Sequence, residues 1–215
     1  MRVSVEEKLA AILVADVFDY ERLIAHDRAG AEATLQLHHH EVIDAAIAVH
    51  GGRIFELEPD RTLAEFTSPL AAVRCAVEIQ EGLERRMADV PEPERIQLRI
   101  GIHYGEALVD GGELSGEALM IGKRVHALAE PGEICVSRTV VETVRKRVGH
   151  SFEDLAGLPA RPVPKAGLAF LLRPAPASAP RPATAWLGTA GRLALTVIVA
   201  AAAIWLALTE GRPAP

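Results

Sequence analysis

The strongest pattern along the chain is Leu9 to Leu23, LAAILVADVFDYERL, in which an unbroken run of Leu, Ala, Ile and Val ends abruptly at Asp16. A continuous apolar run bounded by polar residues predicts a fully buried central strand. Asp16 then stands where that strand surfaces, and Phe18, Asp19 and Tyr20 form a short turn into a helical pattern. The pattern runs from Tyr20 to His50, with Leu35, Val42, Ala46 and Val49 on one face and Gly51-Gly52 as the stop. His38, His39 and His40 lie within it. Consecutive residues point in three directions on a helix, so these histidines predict a solvated face rather than a chelating set.

Two strand-length runs, Arg53 to Leu57 and Thr62 to Phe66, flank Glu58-Pro59-Asp60-Arg61 and predict a β-hairpin with Asp60 at its tip. Ser68 and Pro69 then read as N-cap and first residue of a helix that reaches Met87 through Ala72, Cys75, Ala76, Ile79 and Leu83. Ile96 to His103 alternates, with Leu98, Ile100 and Ile102 on one face and Arg99, Gly101 and His103 on the other; Ala107 to Val109 reads as its partner strand. After a Gly111-Gly112 turn come a helix over Gly116 to Ala129, a strand over Glu133 to Val136, a helix capped by Ser137, and a strand-rich stretch from Ser151 to Leu172. This order predicts an α+β sandwich, a mixed sheet with helices on one face.

From Arg173 the pattern disappears into Pro, Ala, Arg, Ser and Thr, the composition of an extended linker over 173–186. Leu193 to Leu208 is apolar apart from Thr196. Its roughly 24 Å of helix falls short of the roughly 30 Å hydrocarbon core. Trp186 to Gly191, with Arg192 snorkelling, supplies the remainder. The expectation is a transmembrane helix over 187–208 and a short tail over 209–215. Arg173, Arg181 and Arg192 on the N-terminal side place the globular part in the cytoplasm by the positive-inside rule. Met1 to Lys8, short and charged, carries no secretory signal pattern.

With 215 residues the chain accommodates one domain, over 1–172, plus this appendage. A net charge of −6 argues against a general affinity for nucleic acid or anionic membrane surfaces. Cys75 and Cys135 lack metal-ligand spacing and read as small buried hydrophobes in a reducing compartment.

Five stretches carry a resemblance: LAAILVADVFDYERL, AVHGGRIFELEPDRTLAEF, AVRCAVEIQ, LRIGIHYGEALV and LAEPGEICVSRTV, the last preceded by GEALMIGKRVHA. From roughly Lys8 to Leu172 the chain resembles a class III nucleotidyl cyclase catalytic domain, with a ferredoxin-like fold. The resemblance implies a head-to-tail dimer, a homodimer or a heterodimer with another cyclase domain, with sites at the interface. There a nucleoside triphosphate, ATP or GTP, is cyclised with loss of pyrophosphate. It implies that Asp16 and Asp60 hold two Mg2+ or Mn2+ ions and that Arg124 meets developing phosphate charge. Phe18, Glu56 and Glu113 take the positions that contact substrate, the last two at the purine-selecting pair.

Several positions depart from the family pattern. Met120 replaces an Asn that orients the ribose, and a thioether donates no hydrogen bond. Glu56 stands where adenylyl cyclases carry Lys. Asp19 and Glu21 replace Gly and Ser or Thr in the turn that cradles the triphosphate. Pro59 and Arg61 replace the glycines around the second metal aspartate. These changes predict a domain impaired or inactive as a homodimer that acts as a dimerising regulatory partner. The alternative is a slow cyclase working through Asp16, Asp60 and Arg124.

Overall fold

The structure, a computed structural model, describes residues 6–25, 27–111, 113–158 and 167–173. The expected linker beyond Arg173 and the expected membrane helix over 187–208 lie outside them. No helix among the described residues is long and apolar enough to cross a membrane.

The first apolar run forms β1 (Glu6–Val17) at the centre of the sheet. Next come α1 (Tyr20–Ile24), α2 (Arg28–His38), a π-helical turn (His39–Asp44), α3 (Ala45–Val49), β2 (Arg53–Leu57), β3 (Arg61–Phe66) and α4 (Pro69–Met87). The second half comprises β4 (Leu98–Asp110), β5 (Glu113–Ser115), α5 (Glu117–His126), β6 (Ile134–Ser137), α6 (Arg138–Val144), β7 (Ser151–Asp154) and β8 (Ala169–Arg173). The strand order is β2-β3-β1-β4-β6-β8-β7, with β5 paired to β4. Within it β4-β1-β3-β2 is the ferredoxin-like arrangement, and β4 with β6 is a parallel pair in an otherwise antiparallel sheet.

Helices cover both faces, which corrects the one-sided sandwich. Ala11, Leu13 and Ala15 of β1 pack with α2, α3, α4 and α6, while Ala10, Ile12 and Val14 pack with Ala118 of α5 and Leu63 of β3. A strand apolar on both sides requires two covers. Gly101 lets α5 settle on the sheet, because a Cβ there would lie 2.3 Å from the His126 Cα.

Two further boundaries differ from the sequence reading. The single helix expected over 20–50 is broken before Asp27, whose side chain caps α2 by accepting from the Gly30 N–H. The two strands expected over 96–109 are one long strand, β4, whose hairpin partner is β5. The Ser68 cap and Pro69 start are found as expected, and both cysteines are buried. Burial pushes the Cys75 thiol up to about 12, with Glu78 adding to it, so this thiol is inert at neutral pH.

Candidate active site

β1 ends among charged groups. Asp16, only 5% exposed, is held by Arg99 from β4, whose Nε and Nη2 donate to Oδ1 at 2.9 Å and Oδ2 at 2.5 Å. His126, at the end of α5, brings Nε2 within 3.0 Å of Oδ1. Burial alone would raise the Asp16 pKa, but His126 and Arg99 outweigh it and hold the carboxyl at about 2. The Arg99 guanidinium also lies over the Phe18 ring, 5.6 Å from its centre. Arg99 and His126 are the functional neighbours that sequence reasoning missed. Arg99 was at least visible as a charge on the polar face of an alternating strand.

Asp60 is delivered beside this group by the β2–β3 turn. Asp16 pairs in register with Arg61, and the Val17 N–H donates to the Asp60 carbonyl at 2.8 Å. Pro59 and Asp60 are the two central residues of a tight turn closed by the Arg61 N–H on the Glu58 carbonyl at 3.2 Å. Neither takes a positive φ. The turn is therefore of type I, where Pro is favoured at the first central position, and it forms without the glycines the family uses. Positive φ appears instead at Asp19, φ 54 and ψ 44, the one non-glycine residue so placed among the described residues. A family Gly is expected there, and Asp19 accepts the conformation while pairing with Arg22 at 2.8 Å.

Glu56, at a position where the family resemblance implies purine selection, lies on the same face of the sheet as Asp16. Register between β2 and β3 shifts between Ile54 and Glu56, so Glu56 pairs with Leu63. The bulge turns Glu56 toward α5, where its Oε1 lies 3.5 Å from Lys123 Nζ. Lys123 adjoins Arg124, which is exposed and makes no ion pair among the described residues. Met120, one turn earlier, is 55% exposed. Glu113 is exposed at the start of β5, in register with Asp110. The Asp60 backbone is thus brought beside the end of β1, where Asp16 stands, and Asp60 lines a cavity with Ala15 and Val17; Glu56 is brought to α5, and Glu113 belongs to the β4–β5 hairpin.

Among the described residues no group of three His, Cys, Asp or Glu forms a closed metal cage. Mg2+ seldom uses one: it is commonly held by one or two carboxylates together with substrate phosphates and water. An ionised Asp16 with Asp60 at the neighbouring strand end fits that mode, provided Arg99 and His126 yield Asp16 to the cation.

The histidine run departs from the solvated face expected of it. His40 is 84% exposed at its side chain and fits the expectation. His39 sits in the π-helical turn, half-buried, with Nε2 2.7 Å from Thr62 Oγ1 and Nδ1 3.2 Å from Asp44 Oδ1. His38 is half-buried as well, and burial lowers its pKa.

No family model matches the chain. A Rhizobium meliloti (strain 1021) protein named "Putative adenylate cyclase 3" is 34% identical over 151 residues, 70% of this chain and 26% of that protein. The chain therefore corresponds to about a quarter of that relative's length. The crystal structure of an adenylate/guanylate cyclase/hydrolase from Silicibacter pomeroyi is 38% identical with a TM-score of 0.68, covering 79% of this chain and 98% of that one. The adenylyl cyclase CyaB from P. aeruginosa, 14% identical with a TM-score of 0.67 over 83% of this chain and 98% of its own, shares the fold. With the ferredoxin-like sheet, the two strand-end aspartates and these relatives together, the chain belongs to the class III adenylate/guanylate cyclase family.

Proposed function

We propose that this domain serves cyclic-nucleotide signalling as the carboxylate-bearing half of a shared cyclase site, impaired as a homodimer and completed by a competent partner domain. One observation carries the reading: the two halves of the site are unequally built. The Asp16 half is buried and ionised, its carboxylate held in place by Arg99 and His126, with the Asp60 backbone beside it. The α5 half presents an exposed Met120 where a hydrogen-bond donor is needed, and a Glu56 already engaged by Lys123.

A pair of Mg2+ or Mn2+ ions, held by Asp16 and Asp60 with the nucleotide's phosphates, would supply Lewis-acid activation of the 3'-oxygen and neutralise the leaving pyrophosphate. Asp16 supplies a carboxylate that stays ionised at any physiological pH. Asp60 supplies a second from a rigid turn. Arg124, exposed on α5, offers a guanidinium to phosphate oxygens. Met120 orients nothing, and an unheld ribose 3'-oxygen costs on the order of 100-fold in rate.

The slow-cyclase alternative keeps a foothold because Asp16, Asp60 and Arg124 are all present. In either case the apolar 187–208 segment would tether the domain to the membrane, with the globular part in the cytoplasm. Cyclic-nucleotide production from ATP and from GTP is the deciding measurement, on the chain alone and mixed with a competent homologue. A change in the homologue's turnover on mixing supports the shared site. Product from the chain alone that disappears in Asp16→Ala makes it an enzyme, and no effect in either setting together with no co-purification removes both readings.

A further inference from the structure

The Asp16 carboxylate is not only buried but fully engaged. Its neighbours across the sheet are both arginines, Arg61 on β3 and Arg99 on β4. Arg61 turns to Glu58 at 3.4 Å, whereas Arg99 closes a fork on Asp16, Nε donating to Oδ1 at 2.9 Å and Nη2 to Oδ2 at 2.5 Å. A paired contact of this kind takes both carboxylate oxygens at once. Those oxygens are what a divalent cation would have to reach. Mg2+ sheds its waters reluctantly and usually keeps several, and the Asp16 side chain is only 7% exposed. A guanidinium fixed at hydrogen-bond distance also repels any second cation, in surroundings where water screens little.

The cluster has one member with room to move. The Asp16 and His126 side chains are 7% and 9% exposed, against 29% for Arg99. The Phe18 ring, centred 5.6 Å from the guanidinium, gives Arg99 an aromatic face to rest against once it leaves the carboxylate. The cluster is also incomplete as a purely structural ion pair. His126 Nε2 lies 3.0 Å from Oδ1 outside hydrogen-bond geometry, and it is buried without a hydrogen-bond partner. An unmet polar atom beside the carboxylate is a standing cost, which a cation or its water would relieve.

We propose that Arg99 is an autoinhibitory latch that keeps the Asp16 carboxylate closed to a divalent cation until the guanidinium swings off it toward solvent. The inference rests on the reading that Asp16 holds the cation, and adds that the site is shut at rest. A latch open about one-tenth of the time weakens the apparent affinity about tenfold. Removing Arg99 therefore tightens cation binding, the opposite of what the loss of an orienting residue would do.

The test is Mn2+ titration of the full chain without nucleotide, free Mn2+ being read from its electron paramagnetic resonance signal. Arg99→Met, which keeps the stem and removes the fork, should bind about tenfold more tightly than wild type, and adding Asp16→Asn should abolish the gain. Arg99→Met also leaves a buried carboxylate unpaired, so its Tm should fall and recover with Mn2+, while that of wild type moves little. Arg99→Lys keeps a charge without the fork; it should fold like wild type and bind with intermediate affinity. Unchanged or weaker binding in both Arg99 variants would overturn the latch, and leaves Asp16 as the ligand if Asp16→Asn still weakens wild type. Binding indifferent to Asp16→Asn in every chain, or no binding at all, would overturn the reading of Asp16 along with the latch.

Discussion

Asp16 shows how one residue can be both structural and chemical. Its carboxyl titrates at about 2 in the fold against an ordinary 3.8, because His126 and Arg99 outweigh the burial that would raise it. A depressed carboxyl contributes stability that is fully present above the unfolded value and lost as pH falls through the folded one. The contribution is about 2 kcal/mol, lost between about pH 4 and pH 2. Urea unfolding of wild type and Asp16→Asn should therefore differ by about that amount near neutrality, with the gap closing toward pH 2. A gap that persists at low pH would mean that Asp16 stabilises by packing rather than by charge. The Lys123–Glu56 pair is a different case, since both side chains are over a third exposed. Lys123→Ala should change stability by less than about 1 kcal/mol, so any larger effect of that variant on nucleotide use would report on recognition rather than folding.

At the scale of elements, the decisive contact is α5 against the sheet. Gly101→Ala would drive a Cβ into the His126 backbone, which has no flexible end to move aside. The expected cost is about 2 to 3 kcal/mol in urea unfolding, with loss of the His126 approach to Asp16. The α1 turn predicts the reverse sign. Asp19→Gly removes a side chain from a left-handed position and should stabilise by up to about 1 kcal/mol, less the exposed Arg22 pair, while removing a negative charge from the turn expected to cradle phosphates. Thermal melts and titration with ATP would show both effects. These elements also mark what the sequence could disclose. The Leu9–Ala15 run, the Ser68-Pro69 start and the Pro59-Asp60 turn are local signals, and each was legible. The same run, being apolar on both faces, already demanded a second cover that the one-sided sandwich did not provide. The π-helical turn stayed hidden because a 3.6-residue periodicity cannot reveal an i→i+5 register, and His39 was consequently placed in solvent. Arg99 and His126 stayed hidden as partners of Asp16 because they reach it from distant parts of the chain.

For the whole molecule the question is whether the two halves of the site fail together or separately. In the proposed arrangement a homodimer would confound them, because every site would combine one chain's Asp16 and Asp60 with the other chain's Met120 and Arg124. Mixing chains separates them. A variant carrying Asp16→Ala and Met120→Asn has no working carboxylate half but regains the amide that could hold the ribose. Paired with wild type, it forms one site in which wild type gives Asp16 and Asp60 and the variant gives the amide and Arg124. Should the carboxylate half be sound, the mixture will make more cyclic nucleotide than either chain alone, by up to about 100-fold over wild type if the lost amide is the main defect. The variant by itself should make none, since it has no Asp16 on either chain. If the mixture, shown to be dimeric, is as inactive as its parts, the fault extends to Asp19, Glu21 or the Asp60 turn. The domain's contribution to signalling would then lie in the surfaces it presents rather than in any site it shares.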